Sequence, residues 1–296
     1  MSEKELAKLF LRKENYIDSK LKGLDGEVRT LQKRLLEMII SDYAGRFKTK
    51  DGKIIPNEYN MRLLRELDKV IDKWNKKYQE TVLKDFANSM LKLTDFSVDY
   101  YKGMGYSAQR LNDISEGLRY ISESIGITEK GRIIKDSYLD SLSQNPEIRK
   151  ELKNFIISSV AGQKDYGEYL RGIKELIVGN DEVEGSLQRY YRQFAYDTYN
   201  QVDSAINKNF ADSLELTYFI YMGSIITTSR EFCRKRAGKA FSVEETETWK
   251  DDPDLPGKTN EGYNPLIDRG RWNCRHSIRY ISKELAFKMR PELNTE

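Results

Sequence analysis

At 296 residues, with 39% hydrophobic and 33% charged side chains and 19 tyrosines, the chain is long enough to bury a real core and too aromatic to be a disordered segment. A net charge of +3 excludes a general polycation seeking nucleic acid, and two cysteines argue against a disulfide framework, although the pair could still oxidise in a particle that leaves the cell. The longest apolar runs, such as YFIYM from Tyr218 to Met222, fall far short of the roughly 20 residues that cross a bilayer, so no membrane segment is expected. The N-terminus MSEKELAKLFLRKENY carries no apolar signal segment, and a protein made in and kept in a cytoplasm is the expectation.

Most of the chain reads as helix. Leu6, Phe10, Ile17, Leu21, Leu24, Val28, Leu31 and Leu35 form an apolar stripe interrupted by Gly23 and Gly26. A second stripe runs through Leu63, Leu64, Leu67, Val70, Ile71, Trp74, Tyr78, Val82, Phe86 and Met90, as one long amphipathic helix. KDGK with Pro56 supplies the turn between them, which suggests an antiparallel helical hairpin. Asn145 is placed to cap a helix whose first residue is Pro146, where a missing N–H costs nothing. A short helix in GQKDYGEYLRGIKELIVG and a long one through Leu187, Tyr191, Phe194, Thr198, Val202, Ile206 and Phe210 follow.

After about Leu216 the helical period ends, and β-branched and aromatic residues give way to loops with Pro253, Pro256 and Pro265. The fold class expected is α+β: a helical region over 1–215, hairpin-like, and a small mixed domain over 216–296 with a few antiparallel strands and long loops. No internal repeat is visible.

The most informative stretch is RGRWNCRHSIRY, residues 269–280. From Arg271 to Tyr280 polar and apolar residues alternate, which predicts a strand with Trp272, Cys274, His276, Ile278 and Tyr280 facing a core. Arg271, Asn273, Arg275, Ser277 and Arg279 would then face outward. Cys274 and His276 share the inward face, and Cys233 in SREFCRKRAGK is the second thiol of the chain. Cys233, Cys274 and His276 are therefore candidate zinc ligands, short of a full set of four, with Asp268 or water as the remaining ligand. The alternative is a structural core of two small thiols and a hydrogen-bonded histidine. A Cys–His nucleophilic pair is poorly served by parallel side chains two apart on a strand. The acids of EETETWKDDPDL read as a solvated loop, and phosphate-loop and dinucleotide glycine motifs are absent.

Arg269, Arg271, Arg275, Arg279, Arg234, Lys235, Arg236 and Lys239 could form one positive patch for a carboxylate or phosphate partner. The plainer reading is a patch neutralised by the acidic loop around Asp251, Asp252 and Asp254.

The order FAYDTYNQVDSAINKNFADSLELTYFIYMGS, TTSREFCRKRAGKAFS, an acidic loop with Trp249, and GYNPLIDRGRWNCRHSIRYIS resembles the head-morphogenesis domain of tailed bacteriophages, the minor head proteins typified by that of phage Mu. The resemblance covers about residues 160–282 and is most specific at SREFC, at Gly238–Lys239 and at NCRH. Family members often carry a second cysteine where this chain has Arg236, and end C-R-C where this one ends C-R-H. The resemblance implies a virion component rather than an enzyme: a low-copy protein inside the head, associated with the portal protein and other head proteins, present first in the host cytoplasm and then in the particle. It implies no required cofactor, with zinc as the candidate ion, and a non-specific contact with double-stranded DNA as a further role. The alternatives are a DNA-contacting accessory protein and a zinc- or Cys/His-dependent hydrolase or toxin.

Overall fold

The computed structural model describes residues 3–128, 132–144, 146–257 and 262–295. It is α+β, mostly helical, with its larger sheet in the C-terminal region. The helices α1 (Glu3–Asp42), α2 (Glu58–Leu63), α3 (Leu67–Trp74), α4 (Glu80–Leu91), α5 (Leu93–Gly103), α6 (Ala108–Gly117), α7 (Arg119–Ile125), α8 (Tyr138–Gln144), α9 (Pro146–Ala161), α10 (Tyr166–Val178) and α11 (Ser186–Ser213) come first. A two-stranded hairpin of β1 (Thr49–Lys50) and β2 (Lys53–Ile54) interrupts them after α1. Then come β3 (Tyr218–Met222), α12 (Glu231–Arg236), β4 (Ala240–Ser242), α13 (Pro265–Asp268), β5 (Ser277–Ile281) and α14 (Lys283–Met289).

The change of character near residue 215 marks the passage from α11 to β3. The compact units divide the chain elsewhere: one comprises residues 1–17, 89–121 and 195–296, the other 18–88 and 122–194. Among the described residues no helix is long and apolar enough to cross a membrane. The expected Asn145 cap and the side chain of Leu6 lie outside the described residues.

In the second unit, Asp51 and Gly52 both take positive φ, as a two-residue hairpin turn requires, so KDGK does reverse the chain. The flanking helices run antiparallel: Arg46 pairs with Glu66 at 2.5 Å, Lys73 with Asp42 at 3.0 Å, and Trp74 Nε1 donates to the Leu31 carbonyl at 3.2 Å. The expected single helix over 61–91 is interrupted by a 3-10 turn at Leu64–Glu66 and a π turn at Asn75–Gln79. The wider winding of the π turn moves the buried stripe by one position, so Gln79 and Leu83 are buried where Tyr78 and Val82 were expected, and those two are half-buried. Gln79 Nε2 donates to the Leu142 carbonyl and the Tyr191 hydroxyl, which satisfies a polar residue in the core. Pro146 does begin α9, and α10 is bounded by an Asp165 cap that accepts the Glu168 N–H and by Gly179 at φ 84°.

In the first unit, β3 lies between β4 and β5 in an antiparallel sheet. Its register places Phe219 opposite Tyr280 and Tyr221 opposite Ile278, so these four share one face. The Trp249 ring meets Phe219, Tyr221, Phe232 and Phe241 edge-on at centroid distances of 5.3–5.9 Å. On the opposite face, Ile281 packs with Ala240, Ala286 and Leu293, which fixes α14 against the sheet.

The strand expected over 271–280 begins only at Ser277. Arg269, Arg271 and Asn273 have φ of 51°, 65° and 58°, so the preceding segment is a chain of tight turns. Trp272, expected in the core, is 48% exposed. Arg279, expected outside, is 3% exposed, because its guanidinium bonds Asp203 of α11 at 2.9 Å and reaches Glu14 of α1 at 3.5 Å. Alternation identified which residues of β5 share a face, but a helix carrying carboxylates covers the arginine face.

Candidate metal centre

The two cysteines and the single histidine of the chain meet beside the aromatic face of the sheet. Cys233 lies in the six-residue helix α12, its N–H bonded to the Arg230 carbonyl. Cys274 leaves the tight turns with its N–H on the Arg271 carbonyl, and His276 directly precedes β5. Arg230 locks the two segments together by donating to the carbonyls of Gly270 and Trp272 at 3.0 and 2.9 Å. All three side chains are buried, and their ligand atoms lie within 4.8 Å of one another. Cys233 Sγ and Cys274 Sγ are 3.8 Å apart, and Cys274 Sγ is 3.9 Å from His276 Nδ1.

The surroundings fit this grouping. A Cβ at position 270 would stand 2.7 Å from Cys233 Sγ and 3.1 Å from Cys274 Sγ, so only glycine lets the backbone pass this close to both sulfurs. The Tyr221 hydroxyl lies 3.4 Å from one sulfur and 3.5 Å from the other, and its ring stacks on His276 at 5.2 Å. His276 Nε2 is buried without a hydrogen-bond partner among the described residues. Of the two thiols, Cys274 is held well below the ordinary thiol range by the hydrogen bond from Cys233, against the opposing effect of burial, with help from His276 and the Arg269 charge. Cys233 is pushed up by the same hydrogen bond and by burial.

Two soft sulfurs and an imidazole are a donor set suited to zinc, and the residues present can hold such an ion. The Asp268 carboxylate is not in the group. It accepts the Asn264 N–H at 2.7 Å and lines a neighbouring cleft of about 360 Å³ with Asp197, Gln201, Tyr263, Arg269, Arg271 and Trp272.

The expected basic patch is largely dismantled. Arg269 and Arg279 are buried, with Arg269 donating to the His276 carbonyl at 2.9 Å. Arg236 pairs with Asp252 at 2.6 Å and lies over the Phe232 and Trp249 rings, and Lys235 pairs with Asp254. Arg234 caps the 226–229 turn by donating to the carbonyls of Ile226, Thr227 and Ser229. Arg271 donates to the Pro256 carbonyl at 3.2 Å and stacks over Trp272. Arg275 and Lys239 remain exposed, and the acidic loop pairs with two of the eight cations, Lys235 and Arg236. Two members of the centre escaped the sequence reading, Gly270 and Tyr221. Neither spacing nor composition marks them, since both are set by the turns after α13 and by the register of β3 on β5.

No protein-family model, no curated protein and no solved structure matches the chain.

Proposed function

We propose that the chain is a minor head protein of a tailed bacteriophage, a structural component bound to the portal, with a zinc ion held by Cys233, Cys274 and His276. The observation that supports this reading is convergence. SREFC and NCRH, the stretches most specific to the head-morphogenesis resemblance, carry cysteines 41 residues apart that meet at 3.8 Å. The role given to the ion is structural: it ties α12 and the turn segment to β5 in a site whose three ligands are all buried. Binding to the portal is assigned to surfaces outside this centre, and a DNA role ranks below it because six of the eight basic side chains of the expected patch are already engaged within the protein.

Two measurements test the proposal. Particles purified from the phage encoding this chain should contain it, by quantitative mass spectrometry, in far fewer copies than the major capsid subunit. Its absence from purified particles would overturn the virion assignment. Elemental analysis of unstripped protein should return one zinc per chain, and a metal-free protein with thiols that react only on unfolding would overturn the metal assignment.

A further inference from the structure

A tetrahedral zinc ion leaves a visible imprint on the spacing of its ligand atoms. With Zn–S near 2.3 Å and Zn–O or Zn–N near 2.0–2.1 Å, the S–S edge of the tetrahedron is about 3.8 Å, and each S–O or S–N edge is about 3.5 Å. Cys233 Sγ and Cys274 Sγ are 3.8 Å apart, and the Tyr221 oxygen lies 3.4 and 3.5 Å from them. The Cys274 Sγ to His276 Nδ1 separation is 3.9 Å and the donor atoms of Cys233, Cys274 and His276 lie within 4.8 Å of one another, so the imidazole edges are the loose ones. A phenol can donate to one thiol and accept from the other, so hydrogen bonding alone allows the near-equal distances, and what points to an ion is their match to the tetrahedral edges together with the 3.8 Å sulfur–sulfur spacing. A shared central ion would set the same spacing.

We infer that the Tyr221 hydroxyl is the fourth ligand of the centre, completing a Cys–Cys–His–Tyr set around zinc; this rests on the metal reading above. The oxygen is well fixed for the task. Tyr221 is fully buried in the central strand, its ring stacked on His276 and held edge-on by Trp249 at 5.6 Å and Phe232 at 6.4 Å. As the ion enters, the thiol protons and the phenol proton leave to solvent. Two thiolates and one phenolate around a dication carry one excess negative charge, and the buried guanidinium of Arg269, which already acts on Cys274, balances it. Closing the fourth position with a protein atom leaves no place for a metal-bound water, which matches a structural centre rather than a hydrolytic one.

The test uses the full chain, reduced and stripped of metal, titrated with cobalt(II) and then with zinc in competition. Wild type should show the intense visible bands of tetrahedral cobalt with a sulfur charge-transfer band, and zinc should produce a tyrosine ultraviolet difference spectrum. Tyr221→Phe should still bind through the other three ligands, but at least about tenfold more weakly, with altered cobalt bands and no tyrosine difference spectrum. Unchanged affinity and bands in Tyr221→Phe would overturn the fourth-ligand assignment while leaving the three-residue metal centre standing. Failure of wild type to bind either metal would instead overturn the metal reading itself. The difference spectrum is read on wild type, so its absence on zinc loading also overturns the assignment even if the variant does not fold.

Discussion

The two faces of β5 bury polar groups by opposite means. On the face of Arg279, every charge meets its opposite: Asp203 pairs with Arg279 and Lys13, and Glu14 closes the cluster from α1. Burial would push the Asp203 carboxyl up, but the two cations hold it below its usual range. On the face of Ile278 and Tyr280, next to His276, the contacts of the polar groups are long, and one imidazole nitrogen has no hydrogen-bond partner among the described residues. One face has its charges paired by protein atoms alone. The other gathers two thiols, a phenol and an imidazole at long, near-equal spacing, and the contrast teaches that such a cluster is better understood by what it could bind than by the bonds it makes.

The sharpest way to break that comparison is to remove the acid of the paired face. Asp203→Ala leaves Lys13 and Arg279 buried together, and should cost about 3–5 kcal/mol in denaturant unfolding. A loss below 1 kcal/mol would mean that this cluster is not the self-sufficient one. The same depth of cost should not appear at the sulfur face without metal: Gly270→Ala forces a methyl against Cys233 Sγ, and about 1–3 kcal/mol of destabilisation, together with loss of zinc loading, is expected. Retention of one zinc per chain in that variant would contradict the close approach.

Lys13 offers a pH readout of the paired face. Burial, with the nearby Arg279 charge, lowers its pKa from 10.5 to about 8. Between pH 8 and pH 10 the unfolded chain therefore holds this proton more firmly than the folded one, so the Lys13 contribution to stability grows as pH rises. Relative to Lys13→Met, wild type should gain on the order of 2 kcal/mol across that window, and a flat difference would show that the lysine is not desolvated. The smallest effect is expected outside both faces: Arg275→Glu, at an exposed position, should change stability by less than about 0.5 kcal/mol.

The sequence made the centre legible but not its walls. Cys233, Cys274 and His276 could be grouped because soft ligands are rare in this chain and the alternation placed two of them on one side. The turns at Arg269, Arg271 and Asn273 were not legible, because polar and apolar residues alternate there for reasons of turn geometry, and the pattern mimics a strand that begins six residues later. Trp272 was misplaced for that reason. Arg279 was misplaced for a different one: its partners Asp203 and Glu14 are 76 and 265 residues away, and no local pattern reports them. The apolar period gave the helices before residue 92 and over residues 146–213 but not α5 to α8 between them, and the π turn at Asn75–Gln79 shifted the buried side by one position, a change that no fixed period can anticipate.

The 41-residue separation of the two cysteines has a consequence in polymer terms. An ion gripping both sulfurs turns the intervening chain, which includes β4 and Trp249, into a closed ring even in the denatured ensemble as long as the ion stays bound. For a ring of that size the chain-entropy estimate is about 4 kcal/mol of lost denatured-state freedom. Chelation would then act first on the connectivity of the ensemble rather than on any single contact, and the ring segment should be the earliest part of the C-terminal region to exchange its amide hydrogens when the metal is withdrawn.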